Sequence, residues 1–206
     1  MPDFCKFHGT GNDFILLDGR ENKLRIDANS IAALCNRQTG IGAVGLFVVA
    51  ALEYCTFEMI YYNADGSPAT MCGNGARCAV AFAYMNSIAG PQCDFMAGDG
   101  RHEAFIEKVS PNEWVVEITM RDVEAPAGSG DSTEINTGTP HLVKIVNNSA
   151  NTDVFALGRE IRYSEKYREA GVNIDWMSFE NGKLRVRTYE KGVENETLSC
   201  GTGVTA

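Results

Sequence analysis

Two segments of this chain repeat one short pattern: Met71-Cys72-Gly73-Asn74-Gly75-Ala76-Arg77-Cys78 and Ser199-Cys200-Gly201-Thr202-Gly203-Val204-Thr205-Ala206, each a cysteine followed by Gly-x-Gly. A Cys just before a helix meets unpaired backbone N–H groups and the positive end of the helix dipole. Both favour the thiolate and lower a thiol pKa that is ordinarily about 8.5. Gly directly after the Cys removes the Cβ that would keep a carboxylate from those N–H groups. One helix start can then hold the anion while its sulfur works on the neighbouring carbon. Two thiols in the same setting fit an acid and a base on opposite faces of one carbon. Either Cys-Gly pair alone reads as a buried packing cysteine; the repetition is what argues for chemistry.

Other cysteine chemistries fit less well. Cys72 and Cys78 lie six apart, which on a helix puts them on largely opposed faces. The chain has no Cys-x-x-Cys and no His-x-x-x-His spacing, which argues against a metal centre. A thiol redox protein is the third reading, and it predicts a Cys72–Cys200 disulfide that cycles with reductant. The remaining cysteines, Cys5, Cys35, Cys55, Cys78 and Cys93, sit among apolar neighbours and are expected to pack.

A hydrophobic content of 44% and a charged content of 22% are ordinary for a globular protein. The net charge of −9, with no run of Lys and Arg, excludes a nucleic-acid surface. The longest apolar stretch, residues 46 to 52, is too short to span a bilayer, so no membrane partner is expected. Seven cysteines and a start without an apolar leader point to reduced thiols in a cytoplasm.

The elements that must position the two motifs are mostly strands. Alternation and β-branched content predict strands over 14–18, 46–50, 56–63, 102–107, 114–120, 141–146, 175–179 and 183–190. Helices are predicted over 29–36, with Asn29 or Ser30 as N-cap, and over 75–87 and 153–161. The middle helix is apolar nearly all round with Arg77 as its one charge, so it should be enclosed. A sheet curved around it is the natural container, and Ala76, Ala79, Ala81 and Ala83 let strands come close. The most loop-like stretch, 125–131, follows the strand that begins at Trp114, so a domain boundary is placed near residue 118. Beyond it the pattern restarts: Asn136-Thr137-Gly138-Thr139-Pro140-His141 echoes His8-Gly9-Thr10-Gly11-Asn12-Asp13. Internal duplication follows, into domains 1–117 and 118–206 with the active site between them.

The segments His8-Gly9-Thr10-Gly11-Asn12-Asp13-Phe14, Asn63-Ala64-Asp65-Gly66-Ser67, Met71 to Cys78, and Tyr189-Glu190 leading to Cys200-Gly201-Thr202-Gly203 occur in this order along the chain. Together they closely resemble the diaminopimelate epimerases, and the resemblance runs the length of the chain. It implies an α+β fold of two pseudo-symmetric domains, each a mixed barrel-like sheet around a central helix. It also implies an isomerase that interconverts LL- and meso-diaminopimelate, with no pyridoxal phosphate, no other cofactor and no metal. By the same resemblance Cys72 and Cys200 exchange protons with the α-carbon, and His141 and Glu190 adjust the thiols' protonation. Asn12, Asn63, Thr139, Asn173, Glu190 and Lys191 match substrate-binding positions, as do the backbone N–H groups of Gly73 with Asn74 and of Gly201 with Thr202. The partner implied is a small molecule, and homodimerisation is left open.

Several features depart from the family pattern. Thr139 stands where Asn is usual. Lys191 replaces an Arg and offers a point charge in place of a bidentate fork. Val44 stands where Asp is expected. Family members also run several tens of residues past the second cysteine, so the second domain is expected to be incomplete. Two alternatives remain: a proline or hydroxyproline racemase of the same superfamily, and a non-catalytic truncated relative that binds a ligand through its first half.

Overall fold

A computed structural model of the chain describes residues 3–21, 24 and 26–206. Two compact units divide it, Met1–Met120 and Arg121–Ala206. Strands dominate both.

The first unit is built on β1 (Phe4–Gly9), β2 (Asn12–Asp18), β3 (Gly45–Ala50), β4 (Phe57–Asn63), β5 (Pro68–Ala69), β6 (Gln92–Ala97), β7 (Gly100–Ser110) and β8 (Glu113–Ile118). They form one sheet in the order β1-β2-β3-β4-β6-β7-β8, with β5 pairing β4. Two helices serve this sheet, α1 (Ala28–Cys35) and α2 (Gly73–Met85). The period-2 alternation of the strands decides which helix goes where. Phe14 and Leu16 of β2, with Phe47 and Val49 of β3, turn inward to the cluster around α2. Ile15, Leu17, Leu46 and Val48 turn to the opposite face, with Ile31 and Cys35 of α1.

Because α2 has no polar stripe, it can be satisfied only by enclosure. Its residues from Gly73 to Ala83 are buried apart from Arg77. The sheet curls so that both ends of its path, β1 and β8, reach this helix. Phe7 of β1 meets Trp114 of β8 at 5.7 Å between ring centroids. The result is a half-barrel around one helix, as an apolar, alanine-rich segment demands.

The second unit comprises β9 (Ala127–Ser129), β10 (Ser132–Asn136), β11 (Pro140–Ile145), α3 (Val154–Arg162), β12 (Asn173–Glu180), β13 (Lys183–Glu190), β14 (Asn195–Thr197) and α4 (Gly201–Thr205). Its sheet runs β14-β13-β12-β11-β10-β9. Leu142, Ile174, Trp176 and Tyr189 form the apolar face, joined by Val154 of α3. The chain order repeats that of the first unit: hairpin, helical crossover to a parallel strand, two antiparallel returns, then a helix headed by Cys-Gly-x-Gly. β1/β2, β3/β4 and β4/β5 are antiparallel and β2/β3 parallel. β10/β11, β12/β13 and β13/β14 are antiparallel and β11/β12 parallel.

Several sequence expectations need correction. α1 begins one residue early because Asp27, not Asn29 or Ser30, caps it, accepting from the Ser30 N–H at 2.9 Å. The middle helix starts at Gly73, since Cys72 itself has the extended backbone of a cap (φ −145°, ψ 114°). The loop-like stretch at 125–131 contains β9, which pairs β10 despite its Gly-rich composition. Strands β1, β6, β10 and β14 were not expected; their residues are too polar or their runs too short to stand out. Cys35 and Cys78 are buried, and Cys5 and Cys93 pack against the inner cluster, but Cys55 does not sit in apolar surroundings: it lies by Asp94.

Candidate active site

In each unit the repeated cysteine is the N-cap of the helix that follows the two antiparallel returns. Cys72 caps α2, and its carbonyl accepts the first helical bond from Ala76 N–H at 2.8 Å. Cys200 caps α4, with Val204 N–H donating to its carbonyl at 3.0 Å. Cys72 is half-buried and Cys200 buried.

The glycine that each motif cannot replace is the second one. A Cβ on Gly75 would lie 2.0 Å from Cζ of Phe47, and one on Gly203 would lie 2.3 Å from Oδ1 of Asp175. Each helix start is therefore pressed onto the middle strand of its sheet, and the register shows the two contacts to be equivalent. Phe47 pairs with Tyr61 across β3/β4, and Asp175 pairs with Thr188 across β12/β13. Phe14 and His141 occupy matching places on β2 and β11.

The surroundings of the two helix starts are opposite in character. Under α2 lies an aromatic cluster, with Phe47 stacked on Tyr61 at 4.4 Å and edge-on to Phe14 at 5.1 Å. Asn74 is buried there, and its Oδ1 accepts from Thr10 Oγ1 at 3.1 Å and from Arg77. Thr10 adopts φ 51°, a left-handed conformation unusual for a residue with a side chain, which aims its hydroxyl at Asn74. Asn12 is buried at the start of β2, and Asn63 at the end of β4 donates from Nδ2 to Ser67 Oγ at 3.0 Å. Val44 donates its backbone N–H to Asp13 O at 2.9 Å.

Under α4 lies a buried polar network. His141 Nδ1 is 2.6 Å from Asp175 Oδ2, and Nε2 is 2.9 Å from Thr202 Oγ1, which is 3.3 Å from Cys200 Sγ. Thr188 Oγ1 donates to Asp175 Oδ1 at 2.6 Å, and Thr137 Oγ1 donates to Thr202 O at 2.9 Å. Asn173 accepts the Lys191 N–H on Oδ1 at 2.9 Å, and its Nδ2 stands 3.5 Å from His141 Nε2. Lys191 turns its ammonium to Ala170 O at 3.1 Å, and burial draws its pKa down. Thr139 contributes its carbonyl to the Thr137 N–H at 3.3 Å. The structure thus brings His141, Asn173, Cys200 and Thr202 into one network, with Glu190 near enough for its charge to act on Cys200. Sequence reasoning missed Asp175, Thr188, Thr137 and the Thr202 side chain. Asn173-Ile174-Asp175-Trp176 did carry a signal, because strict alternation puts Asp175 on the same face as Asn173.

Burial first, then the Glu190 and Asp175 charges, push the Cys200 thiol up to about 12, while the Gly203 N–H opposes the rise. Burial also raises Glu190, opposed first by the Thr197 hydroxyl. Elsewhere burial is the main cause that lifts Cys35 and Cys93 to about 11 and Cys78 to about 12. All four values exceed the ordinary thiol value of 9.0, so the folded state holds these protons longer than the unfolded chain. Their contribution to stability is intact below about pH 9 and is lost as pH rises toward 12. Through these thiols the melting curves should show Tm falling with pH above that point, and Cys93→Ala should flatten the fall. A Tm that is level from about pH 8 to about pH 11 would contradict this account.

The diaminopimelate epimerase family model matches residues 4–124. The diaminopimelate epimerase of Flavobacterium psychrophilum is 44% identical over 206 residues, covering 98% of this chain and 78% of that protein. The chain belongs to the diaminopimelate epimerase family. The epimerase of Chlorobaculum tepidum is 39% identical over 203 residues, covering 96% of this chain and 79% of that one. Among solved structures, a probable proline racemase from Agrobacterium radiobacter matches with a TM-score of 0.68 at 14% identity, over 98% of this chain and 74% of that one. That likeness concerns the fold alone. No group of three or more His, Cys, Asp or Glu side chains is gathered to hold a metal among the described residues. No helix among them is long and apolar enough to cross a membrane.

Proposed function

We propose that this chain is a diaminopimelate epimerase, an isomerase whose small-molecule substrate is inverted at one α-carbon by proton transfer to and from Cys72 and Cys200. One observation carries the reading: each of the two topologically equivalent modules sets its repeated cysteine as the cap of the helix that ends the repeat. At α2 the helix start offers backbone N–H groups and a positive dipole end to a substrate carboxylate. Cys200, bonded through Thr202 to His141 and kept protonated by its burial, is held as the thiol, so it is the acid and Cys72 the base. The reverse direction exchanges these roles. Asn12, Asn63, Asn74 and Asn173 supply amide donors and acceptors for the substrate's polar ends. Lys191 supplies its backbone rather than its ammonium to the network around Asn173. An α-proton with no cofactor to delocalise the carbanion needs fixed dipoles and a site shielded from water. Seven free cysteines accord with a reducing compartment, the cytoplasm in this reading.

The test is epimerisation of LL-diaminopimelate to the meso form by the purified chain in deuterium oxide, with proline and hydroxyproline alongside. Deuterium should enter the α-position of the product, and the two cyclic imino acids should stay unchanged. Turnover of proline in place of diaminopimelate, or no α-exchange with either, would overturn the proposal.

A further inference from the structure

We propose that Asp175 is a positioning residue for the epimerisation: by accepting the His141 Nδ1–H it fixes the imidazole tautomer that lets Cys200 release its proton through Thr202. The inference rests on the reading above and deepens it.

The tautomer follows from the partners. Asp175 is fully buried, its Oδ1 already accepts from Thr188, and its Oδ2 lies 2.6 Å from Nδ1 of His141, so the carboxylate accepts the proton on Nδ1. The Asn173 amide is oriented by the Lys191 N–H on its Oδ1, which leaves Nδ2 facing Nε2 of His141. Nε2 therefore presents a lone pair. Thr202 Oγ1 donates to that lone pair at 2.9 Å and accepts from the Cys200 S–H at 3.3 Å. When Cys200 must act as base, its proton moves to Thr202 Oγ1 as the Thr202 proton moves to Nε2. The products are a thiolate and an imidazolium, with no net change in charge or proton count. The Asp175 carboxylate stabilises that imidazolium, and Thr188 holds the other carboxylate oxygen at 2.6 Å.

The ionisable groups facing this chain are Glu190 from β13 and Asp175 from β12, with His141 from β11 and Cys200 at α4. Glu190 opposes the thiolate, so the stabilised imidazolium is what makes release feasible. The corresponding position beneath α2 is Phe47, which neither accepts nor donates a proton. The Asp175 position thus has an aromatic counterpart in the first unit, and the two helix starts, alike in sequence, rest on different groups.

Asp175→Asn keeps the shape and removes the charge. Its kcat/KM should fall roughly 10- to 100-fold with either isomer, equally in both directions because the overall equilibrium is fixed, with KM changed by less than about threefold. The pH profile of kcat/KM should change shape, which a purely structural loss would not cause. Nitrogen NMR of the imidazole is a readout independent of substrate and of any variant's folding: the chain has three histidines, and His141 of the wild-type chain should show a protonated Nδ1 and an unprotonated Nε2. A wild-type His141 protonated on Nε2, or a folded Asp175→Asn variant within about threefold of wild type, would overturn the inference. Absence of epimerisation by the wild-type chain, with the NMR result as expected, would instead count against the proposed function.

Discussion

Cys72→Ala and Cys200→Ala should each abolish epimerisation, lowering kcat/KM by roughly 10³-fold or more, because a proton taken from one face has no donor on the other. The residual chemistry is the more discriminating measurement. Each variant retains one thiol, so slow α-deuterium exchange should be confined to a single stereoisomer. The isomer should be the opposite one for the other variant. If both variants wash deuterium into the same isomer, or if either still inverts the centre, the two-thiol assignment fails. The environments of the two thiols add an asymmetry. Cys200 adjoins a buried network of Thr202, His141 and Asp175, whereas Cys72 lies at a helix start with an aromatic floor. Of the two single-thiol forms, the one that keeps Cys200 should therefore respond to Asp175→Asn, and the one that keeps Cys72 should not.

Phe47→Ala should be the most damaging substitution outside the cysteine pair. Phe47 is fully buried, stacks on Tyr61 at 4.4 Å and meets Phe14 at 5.1 Å. Its ring is also the surface on which Gly75 rests. Truncation removes both ring contacts and opens a cavity beneath the first turn of α2, at a cost of about 3–5 kcal/mol. Because Cys72 caps that turn, activity should fall further than the loss of folded protein explains. Gly75→Ala approaches the same contact from the other side. A Cβ placed 2.0 Å from the ring must displace it or the helix, an overpacking worth about 1–3 kcal/mol. Chemical denaturation of both variants, with activity normalised to the folded fraction, tests the pair. A Phe47→Ala variant destabilised by less than about 1 kcal/mol would show that this cluster does not set the helix start.

The enclosed helix and the duplication were legible along the chain for definite reasons. Residues 76 to 85 lack a polar stripe, and a helix without one can only be surrounded. The echo between residues 8–13 and 136–141 is the echo of two hairpins that open equivalent modules, β1/β2 and β10/β11. Of the proposed site, the repeated motif and the family pattern point to Cys72, Cys200, Asn12, Asn63, His141, Asn173 and Glu190. The cap of α1 was missed because Asp27 precedes two other competent capping residues, Asn29 and Ser30, and only the helix's actual first turn selects among them.

The order of residues by itself determined where the cysteines stand, that each heads a helix, and which strand positions face inward, because helical and strand periodicities are local properties. Only the folded structure decided what lies under each helix start. Strand register is a nonlocal choice, and it set an aromatic ring under Gly75 and a carboxylate under Gly203. Two motifs that read alike along the chain thereby meet opposite environments, since the polarity around a thiol is fixed by side chains tens of residues away that share only its sheet.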